Sequence, residues 1–154
     1  MPTAYIGIGS NLGNRSENCE RSIQLLEEES GIKVTKRSSM SETEPWGIKD
    51  QPKFINMAVE IVTDLEPEAL LSLLKKIETE SGRTPGRRWG PRVIDLDILF
   101  YDDLILKTPG IEIPHPEICK RDFVLIPLKD IAPDKVHPML KKTIRELQHE
   151  MPKE

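Results

Sequence analysis

The sequence predicts an α+β domain in which an antiparallel sheet carries helices on one face, with further elements added at the C-terminus. Two features predict this class. Strand-like and helix-like segments follow one another in the order β-α-β-β-α-β, and Pro or Gly residues stand at most boundaries between them. That order is the ferredoxin-like split βαβ arrangement. A chain of 154 residues is sufficient for a core of its own, so residues 1–154 are expected to form one domain.

The first half of this pattern contains a strand, a helix and a second strand. Residues 3–9 (TAYIGIG) alternate as a strand does. Asn14 is the expected N-cap of the helix, because Glu17 follows three residues later as in a capping box, and Gly31 is the expected stop. Residues 32–40 (IKVTKRSSM) alternate weakly and are predicted to form the second strand.

The second half repeats the pattern with a strand, a helix and a strand. Residues 54–62 (FINMAVEIV) are predicted to form the third strand. Pro67 then opens a helix with an apolar face, and Gly82 is expected to close it. The fourth strand lies in the second half of residues 86–103, GRRWGPRVIDLDILFYDD. The rest of the chain is expected to add a hairpin of residues 104–106 with 111–113, a helix near 123–131 and another from Thr143.

Composition argues against several classes of protein. Apolar residues make up 37% of the chain, and no apolar run approaches the length of a membrane span. The net charge of -4 argues against general binding of nucleic acid, which usually shows as a basic excess. Cys19 and Cys119 lie far apart and the first residues lack a basic leader, so we expect a cytoplasmic protein. Nothing in the sequence indicates an obligate interface, and a monomer is the default expectation.

Two aspartates on the fourth strand carry the main functional signal. Asp95 and Asp97 point to the same face of the strand, with Cα atoms roughly 6.5–7 Å apart. At that distance two like charges repel by about 2 kcal/mol for an effective dielectric near 20. Solvent, basic partners on a neighbouring strand, or a divalent metal could each offset this repulsion. The spacing alone supports a solvated face about as well as a metal site.

Basic residues around the pair favour the metal site. Arginine side chains match the geometry of phosphate groups, as does a metal held by carboxylates. Together they indicate a site for a metal ion and a polyphosphate. The motif GxxxxGK[ST] is absent, and the GIGSNLG segment is explained more simply as a strand-to-helix turn than as a phosphate cradle. The basic residues are Arg83, Arg87, Arg88 and Arg92 upstream, and His115 and Arg121 downstream.

These residues resemble a known enzyme family. RWGPRVIDLDIL is similar to the signature of the 6-hydroxymethyl-7,8-dihydropterin pyrophosphokinases, which transfer pyrophosphate from ATP to a pterin alcohol in folate biosynthesis and release AMP. AYIGIGSNLG, DQPKFINMAV, KKIETESGR and PHPEICKRDFVLIPL also resemble family blocks, so the likeness covers nearly the whole chain. The resemblance implies a ferredoxin-like core, ATP and the pterin as substrates, and two Mg²⁺ ions.

The resemblance also implies roles for individual residues. Asp95 and Asp97 would hold both Mg²⁺ ions, and Arg83 and Arg92 would act with them in catalysis. The nucleotide site would be lined by Lys75, Glu78, Arg83, Arg92, Ile98 (through its backbone), His115 and Arg121. The pterin site would be lined by Thr43, Pro45, Trp46, Phe54, Asn56, Trp89, Asp95 and Phe123. A flat heterocycle suits two aromatic faces, and its amide-like edge suits an Asn side chain.

Some points stay open at this level. Pro116 stands where some family members carry a Tyr that contacts the nucleotide, and either Arg87 or Arg88 could face the phosphates. One rival function is a non-catalytic module that binds a nucleotide or RNA, which would want exposed aromatic residues on the sheet. Tyr5 is the only aromatic residue on the first strand. The other rival is a metal-dependent phosphohydrolase that uses the same aspartates.

Overall fold

The main sheet is antiparallel and has the predicted topology. The computed structural model describes residues 1–43, 53–81 and 93–151. The strands of this sheet are β1 (Thr3–Ser10), β2 (Ile32–Arg37), β3 (Ser41–Thr43), β4 (Phe54–Thr63) and β5 (Asp95–Tyr101). The long strands lie in the order β2-β4-β1-β5, and β3 also pairs with β4. This is the strand order of the ferredoxin-like arrangement, so the predicted α+β class is confirmed.

Helices pack on both faces of the sheet. They divide into two pairs, α1 (Arg15–Glu27) with α2 (Pro67–Glu80), and α3 (Asp122–Ile131) with α4 (Ile144–Glu150). Ile6 and Ile8 of β1 are buried in the apolar cluster of the first pair, whereas Tyr5 is buried in that of the second pair. The predicted C-terminal additions therefore cover the face opposite α1 and α2. None of the described helices is long and apolar enough to cross a membrane.

A bulge in β5 changes which of its residues face each side. The pairing with β1 passes from Ile98 directly to Phe100, so Leu99 is an extra residue in the strand. Leu99 and Phe100 are consequently both buried against the C-terminal helices. Ile98 faces α1 and α2. Successive side chains of a strand point to opposite faces, and Asp97 directly precedes Ile98. The carboxylates of Asp95 and Asp97 therefore face the side of α3 and α4.

The predicted second strand is wrong in its extent. Residues 32–40 do not form one strand, because β2 ends at Arg37. The Ser38 N–H donates to the Ala58 carbonyl (2.9 Å), and the Ser38 hydroxyl accepts from the Ala58 N–H (2.8 Å). A side-chain oxygen thus takes the place that the Ser38 carbonyl would have in a continuing strand, and the regular ladder stops there.

Two further boundaries differ from the predictions. Helix α1 ends at Glu27, before the predicted stop at Gly31. Gly31 instead allows Asp64 to lie close to the backbone, because a Cβ at this position would clash with Oδ1 of Asp64. The hairpin consists of β6 (Leu106–Thr108) and β7 (Ile111–Ile113), so its first strand begins two residues later than expected.

The predicted helix starts are confirmed. The Asn14 side chain accepts a hydrogen bond from the Glu17 N–H (3.2 Å), as an N-cap does. Pro67 occupies the first turn of α2. Thr143 caps α4 in a full capping box with Glu146. The predicted stop of α2 at residue 82 lies outside the described residues.

Candidate active site

The two aspartates lie beside glycines of the neighbouring strand. Asp95 is opposite Gly9 and Asp97 is opposite Gly7 in the register of β5 with β1. Directly opposite residues of an antiparallel pair share a face, so this face carries two carboxylates next to two positions without a side chain. The Asp97 side chain is 47% exposed, which leaves its oxygens accessible to a ligand.

Asn56 completes this row on the other side of Gly9. Gly9 pairs with Asn56 on β4, so Asn56, Gly9 and Asp95 follow one another across the sheet. Asn56 is buried, with 7% exposure. A Cβ on Gly9 would lie 3.1 Å from Oδ1 of Asn56 and 3.6 Å from Cδ1 of Phe54, whereas one on Gly7 would meet the Leu99 side chain. Gly9 therefore leaves a gap in the row of side chains, between Asn56 and Asp95, and lets the Asn56 carboxamide lie close to β1.

Phe123 and Arg121 stand at the beginning of α3, the helix that covers this face. Both side chains are partly buried. The Arg121 guanidinium lies 5.5 Å from the centre of the Phe123 ring, within the range of a cation–π contact. An aromatic face and a fixed positive charge are thus held together at one helix end.

His115 lies next to one of the carboxylates. Its Nε2 is 4.0 Å from Oδ1 of Asp97, and its Nδ1 accepts a hydrogen bond from the Glu117 N–H (3.1 Å). Burial lowers the pKa of His115, and the positive charge of Arg121 lowers it further. The neutral ring must therefore carry its proton on Nε2, so His115 offers an N–H donor next to Asp97.

Two candidate nucleotide residues of α2 differ strongly in exposure. The Lys75 side chain is 60% exposed and the Glu78 side chain only 4%, with 3.7 Å between Nζ of Lys75 and Oε1 of Glu78. The other carboxylate oxygen of Glu78 accepts a hydrogen bond from the Leu96 N–H (2.8 Å). Ile98 lies on the same strand as Leu96, at the edge of the described sheet.

Several predicted residues are not part of the described structure. Thr43 is described, and its backbone pairs with that of Phe54. Among the residues that are described, no group of three or more His, Cys, Asp or Glu side chains could hold a metal ion by itself. The candidates outside the described residues are Pro45, Trp46, Arg83, Arg87, Arg88, Trp89 and Arg92.

Gly9 was not among the predicted site residues. The glycines of GIGSNLG were predicted to form a strand-to-helix turn, which holds for Gly13, whose φ is 75°. Glycines at every second position of a strand were the signal that could have indicated an open face. Tyr5 is buried and donates a hydrogen bond to Glu60 (2.6 Å), so it is not an exposed platform for a base.

Comparison with known sequences matches the chain to one enzyme family. The family model of 7,8-dihydro-6-hydroxymethylpterin-pyrophosphokinase (HPPK) matches residues 5–133. The chain is 40% identical over 150 residues to the 2-amino-4-hydroxy-6-hydroxymethyldihydropteridine pyrophosphokinase of Aquifex aeolicus, covering 97% of this chain and 92% of that protein. The protein of the same name from Bacillus subtilis is 48% identical over 129 residues, with 84% and 77% covered.

A longer relative matches over part of its length. The folic acid synthesis protein FOL1 of Dictyostelium discoideum is 45% identical to the chain over 148 residues. The match covers 96% of this chain, which spans only 22% of that relative.

Solved structures show the same fold. The crystal structure of Plasmodium falciparum HPPK-DHPS, wild type with pteroate, matches with a TM-score of 0.77 and 17% identity, covering 96% of this chain and 44% of that chain. A structure of HPPK-DHPS in complex with substrates matches with a TM-score of 0.76 and 17% identity, covering 96% and 43%. At this level of identity the likeness concerns the fold alone.

Proposed function

Because the chain belongs to the 7,8-dihydro-6-hydroxymethylpterin-pyrophosphokinase family, we propose that the sheet face with Asp95 and Asp97 is its active site. The enzyme transfers a pyrophosphoryl group from ATP to 6-hydroxymethyl-7,8-dihydropterin, giving the pterin diphosphate and AMP in folate synthesis. The observation that carries the location is the row of Asn56, Gly9 and Asp95. It joins an amide, a gap and a carboxylate on one face.

The residues present fit a magnesium site. Asp95 and Asp97 share a face and Asp97 is about half exposed. Mg²⁺ in kinases is commonly held by one or two carboxylates together with substrate phosphates. Two Mg²⁺ ions bound there would neutralise phosphate charge and lower the pKa of the attacking hydroxyl.

His115 is proposed to bind a phosphate oxygen through its Nε2–H. Its Nδ1 accepts the hydrogen bond from the Glu117 N–H, which leaves Nε2 as the ring nitrogen that faces Asp97. A neutral ring with its proton already on Nε2 cannot accept another there, so His115 is a donor and not the general base. Arg121 places a positive charge close by, since it contributes to the lowered pKa of His115.

The remaining nucleotide contacts are assigned to one edge of the sheet and one helix. Leu96 directs its N–H away from β1 toward Glu78, and the N–H of Ile98, two residues on, points to the same edge. This supports a backbone contact of Ile98 with the nucleotide. Lys75 supplies an exposed positive charge on the adjoining helix.

The pterin is proposed to lie in the gap between Asn56 and the carboxylates. The Asn56 amide can both donate and accept, which matches the edge of a pterin ring. Phe54 and Phe123 would supply its aromatic faces, as partly buried rings on β4 and α3. The other proposed contacts are Asp95 and the residues Thr43, Pro45, Trp46 and Trp89.

In the proposed reaction the pterin hydroxyl oxygen attacks the β-phosphorus of ATP in line. A bond forms between that oxygen and the β-phosphorus, the bond from the β-phosphorus to the oxygen of AMP breaks, the hydroxyl proton passes to water, and AMP leaves. Transfers of this type have loose transition states, so the protein mainly positions the reactants and stabilises charge. Arg83 and Arg92 are proposed to bring further positive charge to the phosphates.

A product assay tests this function. The purified chain is incubated with ATP and Mg²⁺, with and without 6-hydroxymethyl-7,8-dihydropterin, and nucleotides are separated by chromatography. AMP that forms only with the pterin supports the proposal. ADP or phosphate released without pterin would indicate a phosphohydrolase, and unchanged ATP in both samples would indicate a binding module. The single domain of residues 1–154, the monomer and the cytoplasmic location stay predictions.

A further inference from the structure

Arg15 connects the start of helix α1 to two neighbouring strands. Its Nη1 donates a hydrogen bond to the carbonyl of Lys53 (2.6 Å), and its Nη2 lies 2.9 Å from Oε2 of Glu42. Glu42 belongs to β3, and Lys53 directly precedes β4. The guanidinium thus holds the ends of two paired strands at once, which its fork of donors allows and a single ammonium would not.

The start of α1 gives Arg15 a fixed base. The Asn18 amide donates to the Leu12 carbonyl (2.8 Å) and to the Ser10 hydroxyl (3.2 Å), which ties the first turns of the helix to the end of β1. Arg15 itself is the first residue of α1, where a positive charge is unfavourable because the helix N-terminus carries a partial positive charge. Its favourable contacts are therefore those with the strands.

The position of Phe54 depends on this contact. The ladder of β4 with β1 ends at Ile55, so Phe54 lies beyond it. In the described part of the sheet, Phe54 pairs only with Thr43, the last residue of the three-residue strand β3. The carbonyl that accepts from Arg15 belongs to the peptide group that joins Lys53 to Phe54. Arg15 therefore holds the backbone directly before the Phe54 ring.

Arg15 acts from the face of the sheet opposite to the proposed pterin site. Glu42 is paired with Ile55, and directly opposite residues share a face. Ile55 packs against the apolar cluster of α1 and α2, whereas Phe54 and Asn56 alternate with it and face the other side. Arg15 can therefore influence the pterin site without contacting the pterin.

We propose that Arg15 is a positioning residue for the pterin, which holds the peptide group before Phe54 and thereby fixes the ring against which the pterin lies. The proposal rests on the proposed function, in which Phe54 and Asn56 line the pterin site. Without Arg15 this end of β4 is less ordered in the free protein, and the free energy needed to order it on binding lowers the pterin affinity.

Four variants separate the two contacts of Arg15. Arg15→Ala removes both, and α1 should tolerate it because a cation leaves the helix N-terminus. Arg15→Lys keeps the charge but cannot make both contacts of the fork. Glu42→Ala removes only the ion pair, and the double variant Arg15→Ala/Glu42→Ala completes the cycle. Arg21→Ala is the matched control, because Arg21 is an exposed arginine of the same helix.

A fluorine label reads out the ring without substrate or activity. The chain has 3 phenylalanines, so protein labelled with fluorophenylalanine gives one fluorine NMR signal for each, and replacing each phenylalanine in turn with leucine assigns them. Phe100 is fully buried and serves as the internal reference. In Arg15→Ala the Phe54 signal should shift or broaden in the ligand-free protein, while the Phe100 signal stays in place.

The second measurement is the affinity for 6-hydroxymethylpterin, followed by its fluorescence with Mg²⁺ and a non-hydrolysable ATP analogue. Its Kd should rise about 5- to 30-fold in Arg15→Ala, the factor expected for losing a charged, partly exposed hydrogen-bonding group. The rise should be smaller in Arg15→Lys and Glu42→Ala and absent in Arg21→Ala. Adding Glu42→Ala to Arg15→Ala should have no further effect, because its partner is gone. In the AMP assay the pterin KM should rise and kcat should stay near wild type.

Other outcomes would overturn the assignment. A lower pterin affinity in Arg15→Ala with an unchanged Phe54 signal would mean that Arg15 acts on the substrate by another route. Wild-type affinity in Arg15→Ala, with or without a changed signal, would show that the contact does not matter for the pterin. An equal loss in Arg21→Ala would indicate a general effect of charge. If wild type binds no pterin, the proposed function fails and the inference with it, a case told apart by fluorine signals recorded without ligand.

Discussion

Gly9→Ala would place one methyl group in the gap between Asn56 and Asp95. The φ of Gly9 lies outside the left-handed region, so alanine fits the backbone of β1. The new Cβ would lie 3.1 Å from Oδ1 of Asn56, and the carboxamide would have to move by a few tenths of an ångström. The substitution thus disturbs the proposed pterin contact without straining the chain.

The size of the effect follows from what the Asn56 amide would lose. A buried hydrogen bond that is broken on one side costs about 1–3 kcal/mol. That corresponds to about a 5- to 150-fold rise in KM for the pterin. Gly→Ala at a compatible position also stabilises a protein by about 0.4–1 kcal/mol through the unfolded chain. The expected result is therefore weaker pterin use, with a change in stability that is the balance of this gain and the cost of moving Asn56.

Steady-state kinetics with each substrate varied, together with urea unfolding, would check this. KM for ATP should stay near its wild-type value. Gly7→Ala is the matched control, because its Cβ would meet the Leu99 side chain at 3.4 Å and not Asn56. A wild-type pterin KM in Gly9→Ala, or an equal rise in Gly7→Ala, would refute the reasoning.

Three further predictions concern charge. Asp95→Asn or Asp97→Asn should lower kcat at least about 100-fold in the AMP assay, while the circular dichroism spectrum stays intact. Asp103→Asn is the control and should keep kcat, because the Asp103 side chain is 83% exposed. Near-normal activity in Asp95→Asn or Asp97→Asn would contradict the metal site. Arg92→Ala should slow the chemical step at least about 100-fold in single-turnover experiments and affect pterin binding less, and the reverse would remove it from catalysis. The pKa of His137 is lowered by burial and by Lys135, so the unfolded chain takes up a proton below pH 6.5 that the folded chain resists. Stability to urea should therefore fall as the pH drops from 6.5, and this dependence should weaken in His137→Ala.

His137→Ala has a second expected effect that serves as its internal check. Nδ1 of His137 accepts hydrogen bonds from the N–H groups of Met139 and Leu140, each at 3.2 Å. Their loss should lower stability by about 1–3 kcal/mol even at pH 7.5. His149→Ala, on the exposed side of α4, is the control. If both variants keep the wild-type pH dependence, His137 is not its source.

The order of the strands could be predicted because it depends on long segments with a clear period. The boundaries that were wrong depend on contacts between distant residues. Ser38 ends β2 through a bond to Ala58, and Gly31 is needed for its approach to Asp64. Neither partner can be read from the local sequence.

The candidate site divides in the same way. The pair Asp95 and Asp97 follows from the strand period alone. The role of Gly9 needs the register of β1 against two neighbours, and that register is known only when the strands are paired. The bond from Leu96 to Glu78 joins residues on a strand and a helix, and no pattern within either element indicates it.

Leu99, the extra residue in β5, lies next to the glycine at position 7 of β1. In an uninterrupted strand, Phe100 would turn its ring to the opposite side from Asp97, and the C-terminal helices would lose their aromatic anchor. The extra Leu99 corrects this phase, and its side chain fits where position 7 has only hydrogen. An engineer who straightens β5 by deleting Leu99 must therefore fill the space left beside Gly7, and the 3.4 Å between Leu99 and a Cβ at that position shows that alanine fits there.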